Sequence, residues 1–194
     1  INIEIEREET LTDEIIGKIK NVNIFDDGIG FNIANFTSFL KSDSTKKIEI
    51  GGKGVGRFSW LKAFDDIDIE SVFLEKNEFY YRRFNFNIKN NFLDDAYDKT
   101  THNKTFTKVK LINFKEQYQK KAPYKLEDIA FRIMQHCLMY FLDINCPKIS
   151  IQDNYKSILL NDLFQENYLN EINQKQIIIK DKCFNILQIK VDNS

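Results

Sequence analysis

Ile1, Ile3 and Ile5 alternate with Asn2, Glu4 and Glu6, a period of two that predicts a half-buried strand. A charged connection follows, and Lys20 to Phe25 predicts a second strand. Val22, Ile24 and Asp26 share its parity, so Asp26 is expected on the face that carries core residues. Ile33, Phe36, Phe39 and Leu40 then fall at helical intervals, and Lys41 to Lys47 is polar. Phe58, Trp60, Leu61 and Phe64 predict a short helix. Asp66 to Leu74 and Glu78 to Asn87 predict a hairpin turning at Lys76-Asn77.

Asn90 to Asn103 reads as a polar loop and Thr105 to Ile112 as another strand. Leu126 to Leu142 carries Ile129, Ile133, Cys137, Tyr140 and Phe141 at helical spacing, predicting one long amphipathic helix. A strand from Pro147 to Ile151 is expected to pair with Ser157 to Leu160 across Asp153-Asn154. Ile177 to Ile179 and Phe184 to Val191 predict two closing strands. Hairpin-paired strands beside segregated helices indicate an α+β two-layer sandwich: a mixed, mainly antiparallel sheet covered by helices on one face.

Glycine changes the picture most. Six of the seven glycines lie in two clusters, Asp26-Asp27-Gly28-Ile29-Gly30-Phe31 and Ile50-Gly51-Gly52-Lys53-Gly54-Val55-Gly56-Arg57, with Gly17 alone outside them. Glycine serves where the backbone needs positive φ or must approach another group closely. The first cluster presents a carboxylate at a strand end; taken alone, it equally fits a hairpin turn. The second is bare backbone leading into a helix, an arrangement suited to anions. It is no P-loop, because Lys53 precedes Gly54 rather than Ser or Thr. A dinucleotide fingerprint also fails, since Ile33 and Arg57 stand where its third glycine would fall.

Bulk properties narrow the class. A length of 194 residues accommodates one domain or one plus part of a second, and 42% hydrophobic with 29% charged residues reads as a globular protein. The net charge of −1 does not suit a chain built as a whole to sit on nucleic acid or an anionic membrane. Lys120-Lys121 with Lys125 and Arg132 reads as a solvated face. No membrane span or signal peptide is expected. Cys137, Cys146 and Cys183 have no paired metal spacing and read as reduced structural thiols of a cytoplasmic protein. His102 and His136 read as structural. The first residue, Ile1, suggests a fragment of something larger.

The two clusters in this order, about twenty residues apart, resemble the GHKL superfamily of ATPases, the Bergerat-fold group. That group includes DNA gyrase B, the large heat-shock chaperone, histidine kinases, MutL and the MORC proteins. Asp26-Asp27-Gly28-Ile29-Gly30 matches the Asp-x-Gly-x-Gly motif. Residues Ile50 to Ser59 look like the second glycine box of the chaperone and MORC proteins, and Ser44-Thr45-Lys46 like a Ser/Lys pair ahead of it. Thr107-Lys108-Val109 resembles the third signature, with Phe106 replacing its usual preceding glycine. These motifs span residues 20 to 111, about half the chain.

The resemblance implies ATP or ADP as ligand, with magnesium. It implies contacts from Asp26, Gly28, Gly30 and Phe31, from Gly51, Gly52, Lys53, Gly54, Val55, Gly56 and Arg57, and from Thr107. Asp26 only accepts hydrogen bonds, which suits the exocyclic amine of adenine and opposes the carbonyl of guanine. Asp27, of opposite parity, is the better expectation for a turn cap. Lys53 either meets phosphate or faces solvent. Lys41 to Glu49 resembles the family's mobile lid.

In the family, a helix ahead of the first strand carries a general-base Glu and a magnesium-ligating Asn. Neither can be assigned in this chain, so no catalytic or metal residue is named and the magnesium ligand is expected upstream. Residues 1–145 are expected to form the ATP-binding domain without that helix. Residues 146–194 would be a strand-rich continuation, either the end of the same domain or the start of a transducer-like one. The family implies a module coupling nucleotide binding and lid closure to conformational change or homodimerisation in a larger protein, with nucleic acid reached through other domains. A histidine-kinase catalytic domain, or a nucleotide-binding module without hydrolysis, are the alternatives.

Overall fold

A computed structural model of the chain describes residues 1–10, 16–40, 56–87, 96–168, 172–180 and 182–189. Its centre is an eight-stranded sheet in the order β5-β4-β3-β6-β2-β1-β7-β8. The strands are β1 (Asn2–Arg7), β2 (Ile19–Asp26), β3 (Phe64–Glu75), β4 (Glu78–Asn85), β5 (Tyr97–Lys99), β6 (Phe106–Phe114), β7 (Ser150–Gln152) and β8 (Ser157–Leu159). All neighbouring pairs run antiparallel except β1 and β7. The helices are α1 (Ile33–Leu40), α2 (Gly56–Ala63), α3 (Glu116–Gln119), α4 (Leu126–His136), α5 (Leu138–Phe141) and α6 (Leu160–Tyr168). The fold is α+β, with a mainly antiparallel sheet.

Strand register sorts the two faces. Ile3, Ile24, Val109, Ile69 and Phe84 are successive cross-strand partners, and Ile5, Val22, Leu111 and Ile67 form the next row. These rows carry the core. One cluster gathers Ile5 with Leu126, Ala130 and Met134 of α4, Ile151 of β7, and Leu160 and Phe164 of α6. The other gathers Ile67, Ile69, Val109 and Leu111 beneath Phe39 of α1 and Trp60 and Leu61 of α2. The alternate positions form a polar ladder. Glu6 accepts from Asn21 and Asn23 at 2.6 Å each, and Asp68 accepts from Asn85 at 3.0 Å and Arg83 at 3.2 Å.

Local chemistry explains several boundaries. The β3–β4 turn has Lys76 at φ 49° and Asn77 at φ 64°, the left-handed pair that lets a two-residue loop follow strand twist. Asn32 caps α1, its Oδ1 accepting the Asn35 amide at 2.8 Å.

Four features depart from the sequence reading. The long helix expected over Leu126 to Leu142 breaks at Cys137 (φ −98°, ψ 15°). Beyond it the bonds tighten to three-residue spacing, Tyr140 N–H to Cys137 O and Asp143 N–H to Tyr140 O. This rotates Tyr140 out to 61% exposure while Phe141 stays buried. The polar loop holds the edge strand β5, and α3 and α6 were not expected; α6 buries Leu160, Phe164 and Tyr168, a spacing of four.

The chain closes with β9 (Ile172–Ile179) and β10 (Lys182–Ile189), an antiparallel pair forming a separate two-stranded sheet. No helix among the described residues is long and apolar enough to cross a membrane.

Candidate nucleotide site

One row of the sheet breaks the apolar pattern. Asp26 of β2 stands opposite Thr107 of β6, Thr107 opposite Ser71 of β3, Ser71 opposite Arg82 of β4, and Arg82 opposite Tyr97 of β5. By parity this row shares the helix-covered face with the apolar rows. Thr107 is 6% exposed and Ser71 and Arg82 are fully buried. A polar row inside a core is costly unless its members are hydrogen-bonded.

The first glycine cluster leaves β2 at the end of this row. Asp26 is half-buried, and its Oδ1 accepts the Gly28 amide at 2.9 Å. The turn cap is therefore Asp26, not the exposed Asp27. The reason is reach: the carboxylate at a strand end closes a turn onto the amide two residues ahead. Oδ2 accepts no hydrogen bond from any described residue. Gly30 is buried at φ 74°, and a Cβ there would lie 2.3 Å from Val72 O. The chain thus passes against β3 at a distance that only glycine allows.

Phe31 turns its ring into the core, edge-on to Phe39 at 5.4 Å and to Phe84 at 5.5 Å. Its side chain is a packing group. From the second cluster, Gly56 opens α2 with open space where a Cβ would stand. The Arg57 guanidinium lies 5.3 Å from the Phe39 ring and 4.6 Å from the Phe58 ring. Arg57, Phe39 and Phe31 therefore form one contact chain joining the two glycine clusters through α1. Gly51, Gly52, Lys53, Gly54 and Val55, with Ser44-Thr45-Lys46 and the lid span Lys41 to Glu49, lie outside the described residues.

Among the described residues no group of three or more His, Cys, Asp or Glu is placed to hold a metal ion. What the arrangement offers is a half-buried carboxylate oxygen, a buried hydroxyl beside it and a glycine turn closely apposed to the sheet. Such a set can accept a hydrogen bond from a ligand's donor. A separate cavity of about 550 Å³ opens on the opposite face, over Phe25, Phe106 and Lys108, so it is not part of the Asp26 row. Neither Ser71 nor Arg82 belongs to a motif in the sequence. Their signal was a polar residue at a core-parity position of an otherwise alternating strand.

No protein-family model and no curated protein matches the chain. Among solved structures it is similar to the ATPase region of Saccharomyces cerevisiae topoisomerase II. That similarity has a TM-score of 0.48 and 15% identity, covering 91% of this chain and 49% of that chain. The same region bound to ICRF-187 (dexrazoxane) is similar with a TM-score of 0.47 and 16% identity, covering 91% and 50%. The chain spans about half the length of these two structures.

Proposed function

We propose that the chain is an adenine-nucleotide-binding domain of GHKL type. In it Asp26 selects the purine, the Gly28–Gly30 turn floors the pocket, and the Gly51–Gly56 ribbon with Lys53 receives the phosphates. The observation that carries this reading is the placement of Asp26 directly opposite buried Thr107, with Asp26 Oδ2 accepting from no described residue. A carboxylate oxygen so placed favours the adenine amine and repels the guanine carbonyl. Magnesium, when bound, would screen the triphosphate; no described residue is assigned to it. The proposal is binding with lid closure coupled to a conformational change or homodimerisation in a larger protein. It assigns no hydrolytic residue to this chain.

Titrating the chain with ATP and GTP by calorimetry tests the reading. ATP binds more tightly, and Asp26→Asn cuts that preference by about 10- to 100-fold, the worth of one hydrogen bond to a charged group. Equal affinities for ATP and GTP in the unsubstituted chain would refute it.

A further inference from the structure

Three polar groups of the peptide units flanking Phe31 are held by side chains. The Phe31 amide donates to Ser71 Oγ at 2.8 Å, and that hydroxyl donates onward to Phe106 O at 2.9 Å. Arg82 Nη1 donates to Phe31 O at 2.8 Å, and Asn35 Nδ2 donates to Gly30 O at 2.9 Å. The Arg82 guanidinium is enclosed by aromatic rings, 4.1 Å from Phe36, 5.0 Å from Tyr97 and 5.1 Å from Phe73. A fully buried guanidinium is expensive, and this one sits in a ring cage and donates to a turn carbonyl.

We infer that Ser71 and Arg82 are positioning residues of the Asp26 site: they clamp the backbone around Phe31 and so set the direction in which the Asp26 carboxylate points. The inference rests on the nucleotide-binding reading. Neither side chain can act on a ligand directly, since both are fully buried and the Ser71 hydroxyl already donates and accepts. Their effect runs through the turn. Asp26 is fixed at one end by its ladder with β6, and Gly30 at the other by the clamp. Asp27, Gly28 and Ile29 between them are exposed. With both ends held, the Gly28 amide has one place to stand, and it holds Asp26 Oδ1 there. Releasing the clamp frees Gly28, and the carboxylate loses its orientation.

The test compares Ser71→Ala with Ser71→Thr, which keeps the hydroxyl, in the 194-residue chain. Amide hydrogen exchange without nucleotide is read at Phe31 and Gly28, and calorimetry gives the ATP-to-GTP affinity ratio. Ser71→Ala is expected to speed exchange at both amides and to lower the ratio by about tenfold, with Ser71→Thr restoring most of it. A purely architectural Ser71 would alter stability and leave the ratio where it was. If Ser71→Ala does not fold, Arg82→Lys serves, because it keeps a cation in the ring cage and removes the fork that reaches Phe31 O. A folded variant with an unchanged ratio overturns the inference and leaves the nucleotide reading intact. An unsubstituted chain without ATP preference overturns both.

Discussion

The Gly28 amide donates to Asp26 Oδ1 at 2.9 Å, and a Cβ on Gly28 would stand 2.7 Å from that same oxygen. The two residues are one device, in which the bare α-carbon lets the carboxylate fold back over its own turn. Gly28→Ala therefore moves the carboxylate, the end of a rotatable side chain, more readily than the backbone. Thermal unfolding is expected to change little, by under about 1 kcal/mol at this exposed position. Under the proposed nucleotide reading, ATP affinity measured by titration is expected to fall, because the displaced oxygens would no longer face the adenine.

Gly30 gives the opposite result. Its Cβ would meet Val72 O, a backbone atom at 2.3 Å, and its φ of 74° is strained for other residues. Nothing there can swing aside. Gly30→Ala is expected to cost about 2–4 kcal/mol in chemical denaturation, whether or not nucleotide is present. A tolerated alanine would show that the turn does not sit against β3.

Arg7, at the end of β1, and Asp153, just past β7, tie two neighbouring parallel strands of the main sheet together. Arg7 Nε donates to Asp153 Oδ2 at 2.9 Å with both side chains nearly inaccessible, at 2% and 4% exposure. Arg7 also donates to Gly17 O at 3.0 Å and Tyr124 O at 2.8 Å. Arg7→Met leaves a buried carboxylate facing no cation, which is expected to cost about 3–5 kcal/mol by urea denaturation. Asp153 would keep its turn bonds from the Tyr155 and Lys156 amides, so the loss reports on the ion pair.

Glu6 supplies a pH dependence. Donation from Asn21, then Asn23, with Lys110 nearby, holds its carboxyl below the ordinary glutamate value. A lowered folded value means the unfolded chain binds the proton more readily. The stabilisation is thus complete above the unfolded value, about pH 4, and disappears as pH falls through the lower folded one. Comparing unfolding of the natural chain and Glu6→Gln across a range from acid to neutral pH should show a difference at neutral pH that closes as pH falls below the unfolded glutamate value of about 4. A gap independent of pH would remove this account.

The β3–β4 turn offers a gain in stability. Lys76 and Asn77 both occupy left-handed backbone, which asparagine and glycine accept at lower cost than lysine. Replacing the pair with Asn-Gly is expected to raise the unfolding free energy by about 0.5–1 kcal/mol. Unchanged or lower stability would mean that the native pair carries contacts beyond the turn.

Local chemistry alone made much of this protein readable. The alternation of Ile1 to Ile5, the parity that puts Asp26 with Val22 and Ile24, the Lys76-Asn77 turn and the helix at Ile33 all follow from side-chain periodicity and backbone preference. These are properties of neighbours in sequence. The partners of Ser71 and Arg82 are not, since burying a serine and an arginine is sensible only once β6, β5 and α1 surround them. The break at Cys137 and the edge strand Tyr97–Lys99 depend likewise on what packs against each segment. So does the role of Asp26 rather than Asp27 as the turn's acceptor, which depends on where the chain goes after the strand. Periodicity specifies which face a residue takes; only the assembled sheet decides which distant groups meet there, because those contacts exist only after the chain closes on itself.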